Sequence, residues 1–114
     1  MTPLRPAQMV RLHFGENDLY AGRPLYEAVV AACRDEGIAG VTVYRGIEGF
    51  GASTLLHRPS LFGRSADAPI VVTLVDVEEK VQQVLPHLKA LFDGSLDGGL
   101  IAILEVEMLR LGHA

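Results

Sequence analysis

Hydrophobic and polar residues follow two different periods along this chain. A period of two at residues 9–14, where Val10, Leu12 and Phe14 share one side, is typical of a strand with one buried face. Runs of β-branched and apolar residues predict further strands at residues 41–45, 70–75 and 100–111. Residues 70–75 and 100–104 are apolar at both parities, which indicates that both faces of the sheet are covered in the native protein.

Two other segments repeat apolar residues at helical spacing. The first begins at Pro24, because a proline fits the first turn of a helix, and it ends before Gly37, a common terminator. The second follows Asp76, which together with Glu79 resembles a helix-opening capping box. We expect Pro86 to kink this second helix, because a proline removes one backbone donor.

The predicted order is strand, helix, strand, strand, helix, strand. This order predicts an α+β protein with the ferredoxin-like βαββαβ plan, in which one antiparallel sheet carries both helices on one face. The 114 residues fit a single domain, residues 1–114. Within it we expect a loose leader at residues 1–7 and a long central loop at residues 46–68, which are glycine-rich and without a clear period.

The composition narrows the classes of function. With 49% hydrophobic residues and a net charge of −4, the chain is neither disordered nor a nucleic-acid binder that relies on positive charge. A single cysteine, Cys33, excludes an intrachain disulfide, and no apolar run has the length of a membrane span. The first residues lack the apolar stretch of a signal peptide, so we expect a cytoplasmic protein.

The apolar content also predicts self-association. Two helices on one face of the sheet leave the apolar residues of the other face open to water, and a second copy would cover them. The alternative is that the central loop, residues 46–68, folds back over that face.

Two glycine-rich turns are the candidate binding elements. Residues 45–53 place three glycines after a strand, where backbone N–H groups can cradle an anion and Arg45 can supply a charge suited to phosphate. Asp97, Gly98 and Gly99 form a similar turn before the last strand. Neither turn matches the dinucleotide fingerprint or the Walker motif, so a plain connecting loop stays an alternative at both places.

No arrangement of residues in the sequence indicates catalysis or metal binding. The four histidines are scattered and make no metal-spaced pair with one another or with Cys33. Ser53 and Ser60 lack a histidine and an acid at a spacing recognisable as a hydrolytic triad. We therefore expect neither an enzyme nor a metal site.

Several segments together resemble an uncharacterised family of bacterial and archaeal PII-like proteins, which is classed as a domain of unknown function. These segments are residues 15–18, 22–28, 40–53, 68–72 and 75–80, and the similarity extends over about residues 9–111. The wider group of nitrogen-regulatory PII signalling proteins implies a ferredoxin-like trimer. The resemblance further implies that small molecules, often adenine nucleotides, are sensed in clefts between its subunits.

The resemblance also implies roles for individual residues. Residues 49–51 resemble the Gly-Phe-Gly stretch at the base of the PII signalling loop. The turn at residues 97–99 resembles the second, phosphate-cradling loop, and Arg110 resembles a basic residue that reaches the phosphates. The binding residues expected on this basis are Arg45, Gly49, Phe50, Gly51, Ala52, Ser53, Asp97, Gly98, Gly99 and Arg110.

Two departures from the PII pattern change the expected ligand. Ala52 and Ser53 stand where PII proteins have a glutamine, and Leu100 stands where they have a lysine. Because the missing lysine removes a charge that would bind polyphosphate, AMP or ADP is expected rather than ATP with magnesium, and no cofactor is required.

The leading hypothesis is a homotrimeric sensor of a small anionic ligand. The ligand would order a loop at about residues 54–67, and that loop would contact a protein partner such as a membrane transporter; no nucleic-acid partner is expected. The alternatives are a small phosphatase on the same fold and a metal-handling trimer like the copper-tolerance relatives of PII proteins.

Overall fold

The structure is a computed structural model that describes residues 3–50, 56–57, 68–95 and 98–112. Four long strands form one sheet, two helices pack on it, and two short hairpins lie in the connections. In chain order the elements are β1 (Arg5–Gly15), β2 (Leu19–Tyr20), β3 (Arg23–Pro24), α1 (Leu25–Asp35), β4 (Gly40–Arg45), β5 (Gly49–Phe50), β6 (Leu56–His57), β7 (Pro69–Asp76), α2 (Glu78–Asp93) and β8 (Leu100–Met108).

The sheet has the order β4-β7-β1-β8, and every neighbouring pair is antiparallel. This order places the first and third long strands side by side in the centre. It is the ferredoxin-like arrangement that the strand and helix order predicted, and the α+β fold class is confirmed.

The two faces of the sheet differ because opposite residues of an antiparallel pair share a face. Val10 pairs with Leu74 and Leu12 pairs with Val72, and all four side chains are fully buried. They form one hydrophobic cluster with apolar residues of both helices, so α1 and α2 cover the same face. The side chains of this cluster are Val10, Leu12, Phe14, Leu25, Val29, Ala32, Cys33, Ile70, Val72, Leu74, Val81, Val84, Leu88 and Leu91.

The first strand is longer than its hydrophobic pattern predicted. It begins at Arg5 rather than at residue 9, so the expected loose leader at residues 1–7 is wrong for residues 5–7. The register explains the extension, because Arg5 and Pro6 pair with Met108 and Glu107 of β8. Pairing with β7 begins only at Gln8, and a proline is tolerated where a strand has a neighbour on one side.

The last strand is shorter than predicted for a related reason. It ends at Met108 instead of residue 111, since Met108 pairs with Arg5, the first residue of β1. Beyond that point β8 has no opposite residue in β1 with which to form ladder hydrogen bonds.

Asp76 does not open α2 with a capping box as predicted. It is the last residue of β7, and the cap position of the helix is Val77, which makes no side-chain capping bond. The buried carboxylate instead accepts hydrogen bonds from the backbone N–H of Ala39 at 2.9 Å and of Val77. Asp76 therefore joins the end of β7 to the turn that follows α1.

The long connection at residues 46–68 contains one short hairpin within its described part. In it Gly49 pairs with His57 and Phe50 pairs with Leu56. The remainder of the loop, residues 51–55 and 58–67, lies outside the described residues, and so does the expectation that a ligand orders residues 54–67.

Neither helix of the described chain is long and apolar enough to cross a membrane.

Candidate functional site

One end of the sheet gathers both predicted glycine turns. Because all neighbouring strands are antiparallel, β1 and β4 finish at the same edge where β7 and β8 begin. The residues that follow β4 and those that precede β8 therefore meet at this end, although about 50 residues separate them in the sequence.

An open cavity of about 210 Å³ lies at this end. Gly49, Phe50 and Gly98 all line it, so the structure brings together described members of both candidate binding turns. Gly51, Ala52, Ser53 and Asp97 lie outside the described residues. The complete described lining is His13, Phe14, Gly46, Glu48, Gly49, Phe50, Pro69, Ile70, Val71 and Gly98.

Two glycines are required by close packing beneath this cavity. The backbone N–H of Gly46 donates to the carbonyl oxygen of Pro69 at 2.7 Å, and a Cβ at Gly46 would lie 2.7 Å from the Pro69 ring. A Cβ at Gly99 would lie 2.4 Å from Cε1 of Phe92, closer than real Cβ contacts occur. These glycines allow the two turns to approach the ends of β7 and α2.

Arg45, the charge expected beside the first turn, is already paired. Its Nε donates to Oε1 of Glu16 at 3.0 Å, and the Arg45 side chain is half exposed. Glu16 is held in place because its backbone N–H donates to the carbonyl oxygen of Ala68 at 2.8 Å. Arg45 does not line the cavity, and Glu16 partly compensates its charge.

Sequence reasoning missed His13 and Glu48 as members of this site. Both line the cavity, and they are the only titratable side chains among its described lining residues. The parity of β1 places His13 on the opposite face from Leu12, but only the register of the sheet shows that it ends beside both turns. No arginine or lysine of the described chain lines this cavity.

Arg110, the second expected charge, lies at the opposite end of the sheet. Strand β8 separates it from Gly98 and Gly99, and nine strand residues span roughly 30 Å. There Arg110 lines a second cavity, of about 380 Å³, together with Arg5 and Lys80. Within one chain Arg110 therefore cannot contact a ligand held by the two glycine turns.

The face of the sheet opposite the helices is open and mostly apolar, with the polar residues Arg11, Thr42 and Thr73 across its middle. The exposed fraction is 55% for Tyr44, 54% for Leu100 and 42% for Leu104, and Met9 and Val75 lie between these edges. An exposed apolar face of this kind marks an interaction surface. In the single chain the residues of β7 alternate between buried and partly buried, so the cover over this second face stays a prediction.

The described residues offer little for chemistry. They contain no group of three or more His, Cys, Asp or Glu side chains that could hold a metal ion. Cys33 is enclosed in the core, where burial raises the pKa of its thiol to about 11, so the nucleophilic thiolate is suppressed at neutral pH.

Comparison with protein families gives a match over residues 7–108 to the family DUF190, described as "Uncharacterized ACR, COG1993". The chain belongs to this DUF190 family. A relative from Methanocaldococcus jannaschii, a UPF0166 protein, is 30% identical over 104 residues, which cover 91% of this chain and 93% of the relative. A UPF0166 protein of Aquifex aeolicus is 29% identical over 104 residues, 91% of this chain and 94% of the relative.

Solved structures similar to this DUF190 chain are PII-like. CPII from Thiomonas intermedia K12, a nitrogen regulatory PII-like protein bound to ADP, AMP and bicarbonate, superposes with a TM-score of 0.72 at 17% identity, covering 96% of this chain and 94% of CPII. A putative PII-like signalling protein from Thermus thermophilus gives a TM-score of 0.65 at 17% identity, covering 94% and 93% of the two chains. The predicted PII-like fold and the resemblance to an uncharacterised PII-like family are confirmed.

Proposed function

We propose that this DUF190 chain is a signalling protein that binds an adenine nucleotide, AMP or ADP, in clefts between the subunits of a homotrimer. The observation that carries the proposal is the convergence of two glycine turns on one cavity at the end of the sheet. Backbone N–H groups in glycine turns bind anions without contributing charge of their own. CPII, which shares the fold, holds ADP and AMP.

The size of the cavity supports a site that a second chain completes. Sites for small molecules usually measure roughly 300–1,000 Å³ and enclose most of the ligand. The cavity of about 210 Å³ is smaller and open, so it offers one wall of such a site. The open apolar face of the sheet, with Tyr44, Leu100 and Leu104 exposed, supplies the surface through which copies would associate.

Signalling is assigned to the central loop, residues 46–68. The base of the loop lies at the cavity, because Glu48, Gly49 and Phe50 line it. A ligand bound there would restrict the loop, and the restricted loop would present Phe50, which is 82% exposed, and its neighbours to a protein partner such as a membrane transporter.

Two substitutions at Gly49 test the nucleotide site. A Cβ at this position would meet only Pro69 atoms at 3.6 and 3.7 Å, which are ordinary contacts, so Gly49→Ala should fold and bind normally. Gly49→Asp adds a carboxylate at the cavity wall and should weaken AMP and ADP binding at least about tenfold through repulsion. Calorimetry with AMP, ADP and ATP measures this, with Gly49→Ala as the matched control. Absence of nucleotide binding to the unsubstituted protein at millimolar concentration would refute the proposal.

The same preparation tests the trimer and the two alternative functions. Light scattering, measured as the protein elutes from a size-exclusion column, should give a molecular mass three times that of one chain. We expect no phosphatase activity and no bound metal in protein purified without a histidine tag. Phosphate release that depends on Arg45, or a stoichiometric metal ion, would favour the phosphatase or the metal-handling alternative.

A further inference from the structure

The middle of the open sheet face is polar, although the residues around it are mostly apolar. Thr42, Thr73 and Arg11 lie side by side on three neighbouring strands, because Thr42 pairs with Thr73 and Thr73 pairs with Arg11. The neighbours of Arg11 in β1, Val10 and Leu12, are buried under the helices, so Arg11 lies on the opposite face. We call Thr42, Thr73 and Arg11 the central polar row.

Two members of the central polar row have no partner among the described residues. Oγ1 of Thr73 is buried and makes no hydrogen bond there. The guanidinium of Arg11 forms neither a hydrogen bond nor an ion pair within the same part of the chain. A guanidinium has five N–H donors and no acceptor, and a hydroxyl can donate one hydrogen bond more. The row can therefore surround an acceptor with donors.

The four long strands place no aspartate or glutamate on the face that carries Arg11. Covering this face with further copies would bring additional arginines and no carboxylate from these strands. A charge removed from water is strongly unfavourable unless it is paired and hydrogen-bonded, so the covered Arg11 requires an anion. The strand residues that share the face with it are Arg5, Ala7, Met9, His13, Gly40, Thr42, Tyr44, Val71, Thr73, Val75, Leu100, Ala102, Leu104, Val106 and Met108.

We propose that Arg11, together with the hydroxyl of Thr73, holds a small inorganic oxyanion of the sulfate or phosphate class in the interface between subunits. The planar guanidinium matches two oxygens of such an anion with two parallel N–H bonds. The inference rests on the self-association in the proposed function. It is independent of nucleotide binding, because no member of the central polar row lines the glycine-turn cavity. The anion neutralises the arginines when the face is covered.

The test measures Tm of the intact oligomer in sodium sulfate and in sodium chloride at equal ionic strength. Sulfate stabilises proteins in general because it is excluded from their surface, so the readout is the difference between variants. The unsubstituted protein should gain about 2–4 °C more from sulfate than Arg11→Met does. Arg34→Met is the matched control, since it removes the same charge from an exposed position of α1, and it should keep the full gain.

Two further variants separate this site from its surroundings. Thr73→Val keeps the shape of the side chain and removes the buried hydroxyl that lacks a partner. Its Tm in chloride should be equal to or higher than that of the unsubstituted protein, while its specific gain from sulfate should fall to about half. Gly49→Asp alters the glycine-turn cavity alone and should keep the whole gain, so sulfate bound in that cavity is recognised by the loss of the gain in this variant.

Two results would overturn the inference while leaving the proposed function intact. One is an equal gain from sulfate in Arg11→Met and in the unsubstituted trimer. The other is a trimer without any specific gain that dissociates into single chains when Arg11 is replaced, because Arg11 would then pair with a carboxylate of a neighbouring subunit. A single-chain mass for the unsubstituted protein would refute the association and the anion site together. Absence of nucleotide binding in a trimer that responds to sulfate would refute the nucleotide proposal alone.

Discussion

Replacing Gly99 by alanine should displace the Phe92 ring that packs against it and so destabilise the protein, without adding any polar group. The new Cβ would lie 2.4 Å from Cε1 and 2.6 Å from Cδ1 of Phe92. The Phe92 ring packs edge-on against Phe14, with ring centroids 5.3 Å apart and planes at 81°. Phe14 in turn lines the glycine-turn cavity, so displacement of the Phe92 ring is transmitted to the site.

The expected cost follows from these two contacts. Forcing an extra methyl into a packed region costs about 1–3 kcal/mol. Loss of the edge-to-face geometry costs about 0.5–1.5 kcal/mol more. A combined loss of about 2–3 kcal/mol in the free energy of unfolding lowers Tm by about 10 °C in a domain of this size.

Thermal unfolding followed by circular dichroism measures this shift. Gly40→Ala is the matched control, because its added Cβ would meet only Cγ1 of Val75 at 3.6 Å, and its Tm should change by less than about 3 °C. The clash also predicts coupling: Gly99→Ala should cost much less when Phe92 is replaced by leucine. If the effects of the two substitutions are simply additive, the contact between Gly99 and Phe92 does not limit packing and the reasoning is wrong.

Three further substitutions or titrations probe other parts of the molecule. Asp76→Asn should lower the free energy of unfolding by about 2–3 kcal/mol, because an amide nitrogen would face a backbone N–H whose hydrogen bond the carboxylate now accepts. Chemical denaturation measures this loss. The control Asp35→Asn, at an exposed position, should leave stability unchanged. Burial raises the pKa of Cys33 from 9.0 to about 11, so stability should be full below pH 9 and fall as the pH rises towards 11, and Cys33→Ala should abolish that fall. Glu16→Gln should change the free energy of unfolding by less than about 1 kcal/mol, since the Arg45 side chain of the pair is half exposed. It should strengthen ADP binding about two- to threefold by freeing the arginine, which calorimetry measures. Weaker binding would contradict the view that Glu16 competes with the ligand for Arg45.

The long elements of the fold were predictable because β1 and both helices have periodic apolar patterns, and β4, β7 and β8 are runs of β-branched and apolar residues. The hairpin of β2 and β3 was not, because two strands of two residues each carry no periodicity. Its turn depends on positive φ angles at Ala21 and Gly22. A glycine in a sequence indicates that such an angle is possible, whereas an alanine does not. Asp76 was misassigned because its acceptor groups are used by Ala39, a residue 37 positions away.

Part of the candidate site was predictable from the sequence and part was not. The glycine turns were predicted from local composition, and the fold brings described members of both to one cavity. The separation of Arg110 from the second glycine turn follows from the length of β8, the strand that lies between them. That the first glycine turn lies at the same end of the sheet as Gly98 depends on the pairing of the strands. The position of His13 beside both turns depends on sheet register.

The position of β1 in the centre of the sheet has a consequence for synthesis of the protein. Its partner β8 pairs His13 with Leu100 and Arg5 with Met108, so the two strands lie about 90–100 residues apart in the chain. At about 5–20 residues per second, β1 emerges roughly 5–20 s before β8 exists. During that interval the growing chain exposes an unpaired, apolar central strand edge. Stop codons or pauses before residue 98 should therefore yield aggregation-prone fragments that recruit chaperones, because these fragments lack the strand that pairs with one edge of β1.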